Sequence, residues 1–158
     1  MIEGRKKNIT SLKCFGYYLP DIELNKEEFT QHVYFNHCKF QKADFYRTTF
    51  SSETYFSEYT FNDAVDFTRA KFSNKSYFSG KFKCITSFNY STFEKPNEVR
   101  FEVEDMSMVS FLNTGITQIR FSDNIRWRGK DNFQIIEETW LEEKVEKTLK
   151  ERRKKEFV

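Results

Sequence analysis

The chain has little of what most soluble folds are built from. Its 158 residues include only five glycines, two prolines, six leucines and three alanines, so an ordinary aliphatic core is not indicated. No apolar run approaches the roughly 20 residues of a membrane-spanning helix, and no signal peptide is recognisable. The length suits one domain. We therefore expect a soluble, cytoplasmic protein that makes no membrane contact.

Motifs for catalysis and metal binding are also scarce. Cys14, Cys38 and Cys84 are odd in number and form no CxxC pair, so reduced thiols are expected. The two histidines are His32 and His37, and the repeat described below turns His37 outward and Cys38 inward, away from a common metal. The glycines are isolated, which excludes a phosphate-binding glycine-rich loop. The sequence thus predicts no catalytic residue, no metal site and no cofactor.

A charge of one sign is lacking as well. The chain has 26 Lys and Arg against 24 Asp and Glu, a net charge of +2. Such a balance gives no general attraction to nucleic acid. We therefore expect no nucleic-acid partner.

What the chain does have is phenylalanine, at 19 positions. Most of them recur at steps of five or six residues, which neither a helix nor a flat strand produces. The departures are a step of four followed by one of six around Phe82, and a step of eight across Pro96. The series, with Met106, Ile116 and Trp127 completing it, is Phe29, Phe35, Phe40, Phe45, Phe50, Phe56, Phe61, Phe67, Phe72, Phe78, Phe82, Phe88, Phe93, Phe101, Phe111 and Phe121.

A second regularity accompanies the first. The residue two before each large apolar one is nearly always small or β-branched, as at Val33, Cys38, Ala43 and Thr48. One large and one small inward side chain per five residues describe a chain that turns a corner about every five residues. Such a chain winds as a solenoid and stacks each turn on the last.

The pattern resembles the pentapeptide-repeat family, whose unit is small, polar, Phe or Leu, polar, polar. Residues 43–47 (ADFYR), 65–69 (VDFTR) and 70–74 (AKFSN) match this unit directly. The resemblance covers about Glu27 to Trp127 and implies a right-handed quadrilateral β-helix with about four repeats per coil. The expected fold is an all-β solenoid of about five coils, roughly 24 Å tall at ~4.8 Å per coil, followed by a C-terminal α-helix.

Three departures from the repeat carry local predictions. Tyr59 is too large for a small-residue position, and Cys38 and Gly80, one coil away on either side, are expected to leave it space. Glu104 also occupies a small-residue position, so we expect the wall to open there or the carboxylate to find a partner. Residues 94–98, around Pro96, are expected to bulge out as a loop.

The sequence predicts three regions: an N-terminal cap (1–28), the repeat region (29–127), and a turn with a helix (128–158). Residues 6–28 have no evident repeat phase, so they are expected to cover the open end of the sheet. From about 137 to 155 the pattern is helical. Acidic residues cluster at the start of this helix and basic ones at its end. Its narrow apolar stripe comprises Trp140, Leu141, Val145 and Leu149. The stripe either caps the last coil or contacts a second copy, which would make a homodimer.

Aligning the coils produces columns on the outer wall. Tyr34, Tyr55 and Tyr77 fall one coil apart, with Arg100 next in line, so the sequence predicts an exposed column able to stack and to make cation–π contacts. One interpretation is ordinary stabilisation of a sheet face. The other is a binding surface, because Tyr and Arg are enriched at binding hot spots.

On a neighbouring column Asp44 and Asp66 lie beside Arg47 and Arg69. Exposed ion pairs are the simplest account of these four residues, and such pairs contribute about 0–1 kcal/mol each. No functional site is expected there.

The sequence leaves three functions open, of which the third and least favoured is a peripheral membrane role through the basic end of the predicted helix, residues 152–155. The first is a non-catalytic scaffold or interaction module that binds an unknown protein partner. The second comes from the resemblance, because some pentapeptide-repeat proteins resemble B-form DNA in width and charge and occupy the DNA groove of type II topoisomerases such as gyrase. Such mimicry needs a continuous acidic surface. Residues 29–127 carry 12 basic and 11 acidic residues, which disfavours this alternative.

Overall fold

The computed structural model describes residues 11–127, and these form an all-β solenoid of about five coils with parallel strands. The register shows the coil directly, because Ser11 pairs with His32, Val33 with Thr54, and Thr54 with Ser76. Each turn of the chain therefore takes a little over twenty residues. The prediction of an all-β solenoid of about five coils is confirmed.

The strands fall into two parallel sheets that share the walls of the coil. Four two-residue strands, β3, β6, β8 and β11, form the smaller sheet, and the other ten form the larger one. The strands are β1 (Ser11–Phe15), β2 (Tyr18–Glu23), β3 (Glu28–Phe29), β4 (His32–Asn36), β5 (Lys39–Asp44), β6 (Thr49–Phe50), β7 (Thr54–Asp66), β8 (Lys71–Phe72), β9 (Ser76–Phe82), β10 (Thr86–Ser87), β11 (Thr92–Phe93), β12 (Val99–Val103), β13 (Val109–Ser110) and β14 (Arg120–Phe121).

The core is a set of four phenylalanine columns that run along the inside of the tube. Phe45, Phe67 and Phe88 show the geometry, with ring centroids 4.8 and 4.6 Å apart and planes within 5° of parallel. Rings of different columns meet edge to face, as Phe56 does with Phe67 at 5.7 Å. Both arrangements are favoured by the ring quadrupole. The columns are Phe29–Phe50–Phe72–Phe93, Phe35–Phe56–Phe78–Phe101–Phe121, Phe40–Phe61–Phe82 and Phe45–Phe67–Phe88–Phe111.

The irregular steps of the repeat correspond to local changes in the coil. Opposite Ser79 and Gly80 the register of β7 skips Glu58, which has a positive φ of 52°. This bulge accounts for the four-residue step that ends at Phe82. The step of eight contains a 3-10 helix, Pro96–Glu98, and residues 94–98 are mostly exposed. The predicted loop around Pro96 is confirmed.

The N-terminal segment differs from its prediction. β1 pairs in register with β4, and β2 pairs with β5, so the expected absence of repeat phase in residues 6–28 is wrong for Ser11–Glu23. Cys14 takes the place of Phe35, and Leu19 that of Phe40. The repeat continues with smaller apolar residues, which hid it from a search for phenylalanine. Whether this segment also acts as a cap stays a prediction.

Candidate functional site

The first candidate is the tyrosine face, defined as Tyr34, Tyr55, Tyr77 and Arg100. Parallel pairing places Tyr34 opposite Tyr55, Tyr55 opposite Tyr77, and Tyr77 opposite Arg100. The four side chains therefore follow one another along the outer wall, at one per coil. The three tyrosines are half-buried and Arg100 is exposed. Their predicted alignment agrees with this register, but the tyrosines are less exposed than predicted. A binding role stays a prediction.

Contacts hold the tyrosine rings in place. Tyr34 and Tyr55 stack with centroids 5.0 Å apart and planes within 2°. The Tyr55 hydroxyl donates to the Glu53 carboxylate at 2.7 Å, and the Tyr77 hydroxyl donates to Glu102. Partial burial, followed by these carboxylates, raises the pKa of both tyrosines above the ordinary value. Both hydroxyls therefore stay protonated at neutral pH.

Cations stand at both ends of the tyrosine face. The Lys13 ammonium lies 5.7 Å from the centre of the Tyr34 ring, which is within cation–π range. Arg100 instead forms an ion pair with Glu102, the same carboxylate that accepts the Tyr77 hydroxyl. Arg100 and Tyr77 are thus joined through the Glu102 carboxylate.

The column that contains Asp44 and Asp66 differs from its prediction. Both carboxylates are buried, with 9% and 5% of the residue exposed, and each accepts a backbone N–H two residues ahead, at 2.9 and 2.8 Å. They stabilise a turn of their own backbone in the manner of an Asx-turn. The expected solvated ion pairs with Arg47 and Arg69 are wrong for this reason.

Arg47 and Arg69, which do not form those ion pairs, lie at a corner of the coil. The Arg47 guanidinium lies 5.3 Å from the Tyr46 ring centre, and that of Arg69 lies 5.1 Å from Tyr90. Lys26 occupies the equivalent position one coil earlier, and all three cations have a positive φ of 56–59°. We call Lys26, Arg47 and Arg69 the basic ladder. The sequence interpretation placed Arg47 and Arg69 in ion pairs and gave Lys26 no role, although the three residues are spaced by 21 and 22 positions.

The predicted accommodation of Tyr59 by Gly80 is confirmed, whereas the part predicted for Cys38 stays a prediction. Tyr59 is 1% exposed and pairs with Gly80, where an added Cβ would lie 2.4 Å from the Tyr59 backbone oxygen. Burial, and then Cys84, raises the pKa of Tyr59 well above its ordinary value. Its hydroxyl has no hydrogen-bond partner. At this corner Tyr59 packs directly against the Gly80 backbone, which leaves no room for a side chain at position 80.

A shallow depression of about 700 Å³ lies outside this corner. Glu104 lines this depression and is exposed. This agrees with the first of the two expectations for Glu104, that the wall opens there. The other three acids of the lining have partners: Glu58 lies 3.0 Å from His37, Glu102 pairs with Arg100, and Asp105 pairs with Arg126. Although partial burial acts to raise it, Arg126 and then Ser107 lower the pKa of Asp105 to about 2. Lys81 and Lys83, which also line the depression, are exposed, so the charge there is mixed.

Residues 11–127 contain no cluster of three or more potential metal ligands. Cys38 is buried and His37 is exposed, in the orientations that the repeat predicts. Over the same range there is no helix of the length and apolarity needed to cross a bilayer. The predicted C-terminal helix, with Trp140, Leu141, Val145 and Leu149, lies outside the described residues.

Comparison with known proteins gives no match of any kind, whether to a family model, to a curated protein or to a solved structure. A function can therefore be inferred only from the geometry of the protein's surfaces.

Proposed function

We propose that the protein is a non-catalytic, cytoplasmic scaffold of the pentapeptide-repeat type, a right-handed four-sided coil that binds a protein partner through the tyrosine face. The observation that carries this proposal is the column of half-buried tyrosines, in which Tyr34 stacks on Tyr55 and the hydroxyls of Tyr55 and Tyr77 bond to Glu53 and Glu102. A surface already fixed in its bound shape loses little side-chain entropy on binding.

The chemistry of the tyrosine face suits a protein better than a small molecule. Tyrosine and arginine are among the residues most often found at binding hot spots. The wall behind the face is filled by Phe35, Phe56 and Phe78, which are fully buried, so the face has no cleft that would enclose a substrate. Binding along a flat wall is the mode that this leaves.

The test is a binding experiment with a partner isolated from host lysate and purified. Replacing Tyr34, Tyr55 and Tyr77 by Ser is expected to weaken binding by about tenfold or more, because hot-spot truncations typically cost more than 1 kcal/mol each. The matched control replaces Tyr46 and Tyr90 by Ser. These two tyrosines are also half-buried but lie away from the tyrosine face, so the control is expected to bind normally.

Thermal unfolding of the same variants separates the two interpretations of the tyrosine face. If the triple variant loses stability but keeps its partner, the tyrosines are structural and the proposal fails. The DNA-mimic alternative has a separate test, since it requires inhibition of topoisomerase supercoiling at micromolar protein. We expect no inhibition, given the nearly balanced charge of the repeat region.

A further inference from the structure

The basic ladder is a row of like charges with a regular spacing. The backbone N–H groups of Lys26, Arg47 and Arg69 each bond to a carbonyl of the next coil, at 2.8–3.0 Å. The three residues therefore rise at one per coil, about 4.8 Å apart. All three are exposed.

Among the ion pairs of residues 11–127, none includes a cation of the basic ladder. Elsewhere on the wall such pairs are common, as between Lys71 and Glu94 at 2.7 Å and between Arg100 and Glu102. The acids nearest in sequence, Asp44 and Asp66, are buried and bound to their own backbone. Three neighbouring cations are thus left for a ligand of opposite charge.

The chain contains a segment of matching charge and spacing. In the helix predicted for residues 137–155, Glu138, Glu142 and Glu146 recur every four residues and fall on one face. Their rise of about 6 Å per step is close to the 4.8 Å of the ladder. The flexible stems of Lys and Arg span the difference.

Apolar groups accompany both charge rows. Beside the basic ladder lie Tyr46, Tyr90 and Leu112, which are half-buried. In the predicted helix, Leu141 and Val145 border the glutamate face. A helix lying along the corner with its glutamates on the cations would place Leu141 and Val145 at the level of Tyr46, while Tyr90 and Leu112 lie beyond Arg69.

The same chain can reach the basic ladder. The Arg69 N–H bonds to Asn89 in the next coil, and the N–H of Tyr90, the residue after Asn89, bonds to Leu112 in the coil after that. Leu112 therefore lies two coils beyond Arg69, and Trp127 follows it within one further coil. The axial distance to Arg69 is then below about 15 Å. The eleven residues from Trp127 to Glu138 span up to about 36 Å when extended.

We propose that the basic ladder is the docking site for the acidic face of this chain's own C-terminal segment. The segment runs back along the corner, with Glu138 at Arg69, Glu142 at Arg47 and Glu146 at Lys26. This inference is independent of the proposed role of the tyrosine face, which lies on another wall.

Disulfide trapping in the full-length chain tests the contact. The Arg69→Cys and Glu138→Cys pair is made with Cys14→Ser, since Cys38 and Cys84 are buried. Lys75→Cys with Glu138→Cys is the control, because Lys75 is exposed in the same coil on another wall. With oxidised glutathione, we expect the ladder pair to give monomeric crosslinked product about tenfold faster than the control, owing to its higher effective concentration. Equal rates, or crosslinks mainly between copies, would overturn the proposal, the latter in favour of a dimer.

A charge swap gives a second readout. Arg47→Glu is expected to slow trapping of the Arg69–Glu138 pair several-fold, and adding Glu142→Arg is expected to restore it. Arg120→Glu, an exposed charge outside the basic ladder, is the control and should change nothing. Circular dichroism confirms that each variant is folded. Trapping that is indifferent to Arg47→Glu contradicts the proposed pairing.

Discussion

Two corners of the coil meet the same packing demand in different ways. At the corner of the basic ladder, polar side chains bond to the backbone in three successive coils, as Asp44, Asp66 and Ser87 do with the N–H two residues ahead. At the corner of Tyr59 and Gly80, one large ring fills the space that a missing side chain leaves. The first corner repeats the same side-chain to backbone bond from coil to coil. At the second corner a single large residue compensates for a single glycine.

Hydroxyl groups add a second repeated element to the regular corner. Thr48, Ser91 and Thr114 each donate to a backbone carbonyl of the preceding coil at 2.6 Å. Ala70 occupies the equivalent place in the one coil between them that has no such bond. Substitutions at the regular corner should therefore have small effects that are alike from coil to coil, whereas those at Gly80 should be large.

The largest effect is expected for Gly80→Ala. The new Cβ would lie 2.4 and 2.7 Å from the backbone oxygen and nitrogen of Tyr59, and backbone atoms cannot turn aside as a side chain can. We expect a loss of about 2–3 kcal/mol in the free energy of unfolding, measured with urea.

Gly115→Ala is the matched control, because no atom lies within 4 Å of the position that its Cβ would take. We expect a change of about 0.5 kcal/mol or less. Equal losses at the two glycines would remove the distinction between the corners.

A smaller effect is expected at the regular corner. Ser91→Ala removes a buried hydrogen bond to Phe67 and leaves that carbonyl with one donor fewer, which should cost about 1 kcal/mol. Ala70→Ser should stabilise by about 0.5–1 kcal/mol, by donating to the Phe45 carbonyl one coil earlier. Thermal unfolding measures both, and a destabilising Ala70→Ser would show that the coils are not interchangeable.

The smallest effect is expected for Tyr59→Phe. The Tyr59 hydroxyl is buried without a partner, and a buried unpaired polar group is destabilising. Removing it should leave stability unchanged or raise it by up to about 1 kcal/mol. A clear loss in urea unfolding would mean that the hydroxyl has a partner in solution.

Much of the fold followed from spacing alone. Phenylalanine steps of five and six predicted the solenoid, and the position of Tyr59 relative to Gly80 predicted their contact. The coil formed by Leu12, Cys14, Leu19, Ile22 and Leu24 was missed, because its side chains keep the five-residue steps from Cys14 to Leu19 to Leu24 without the aromatic marker.

The surfaces were predicted less completely. The tyrosine column followed from coil length, because register depends only on counting residues. The burial of Asp44 and Asp66 did not, since alternation in a strand assigns such positions to solvent. At a corner the backbone bends, and the carboxylate turns onto its own N–H groups. The freed cations of the basic ladder could be identified only after that turn was seen.

The central claim is that phenylalanine rings of successive coils stack on one another and form continuous columns. Nuclear Overhauser contacts between ring protons, in protein with selectively labelled phenylalanine, test it most directly. The columns predict contacts of Phe67 with both Phe45 and Phe88, whose centroids lie 4.8 and 4.6 Å from it, and none between Phe45 and Phe88. Direct contact between Phe45 and Phe88, or an absence of contacts to Phe67, would contradict the account.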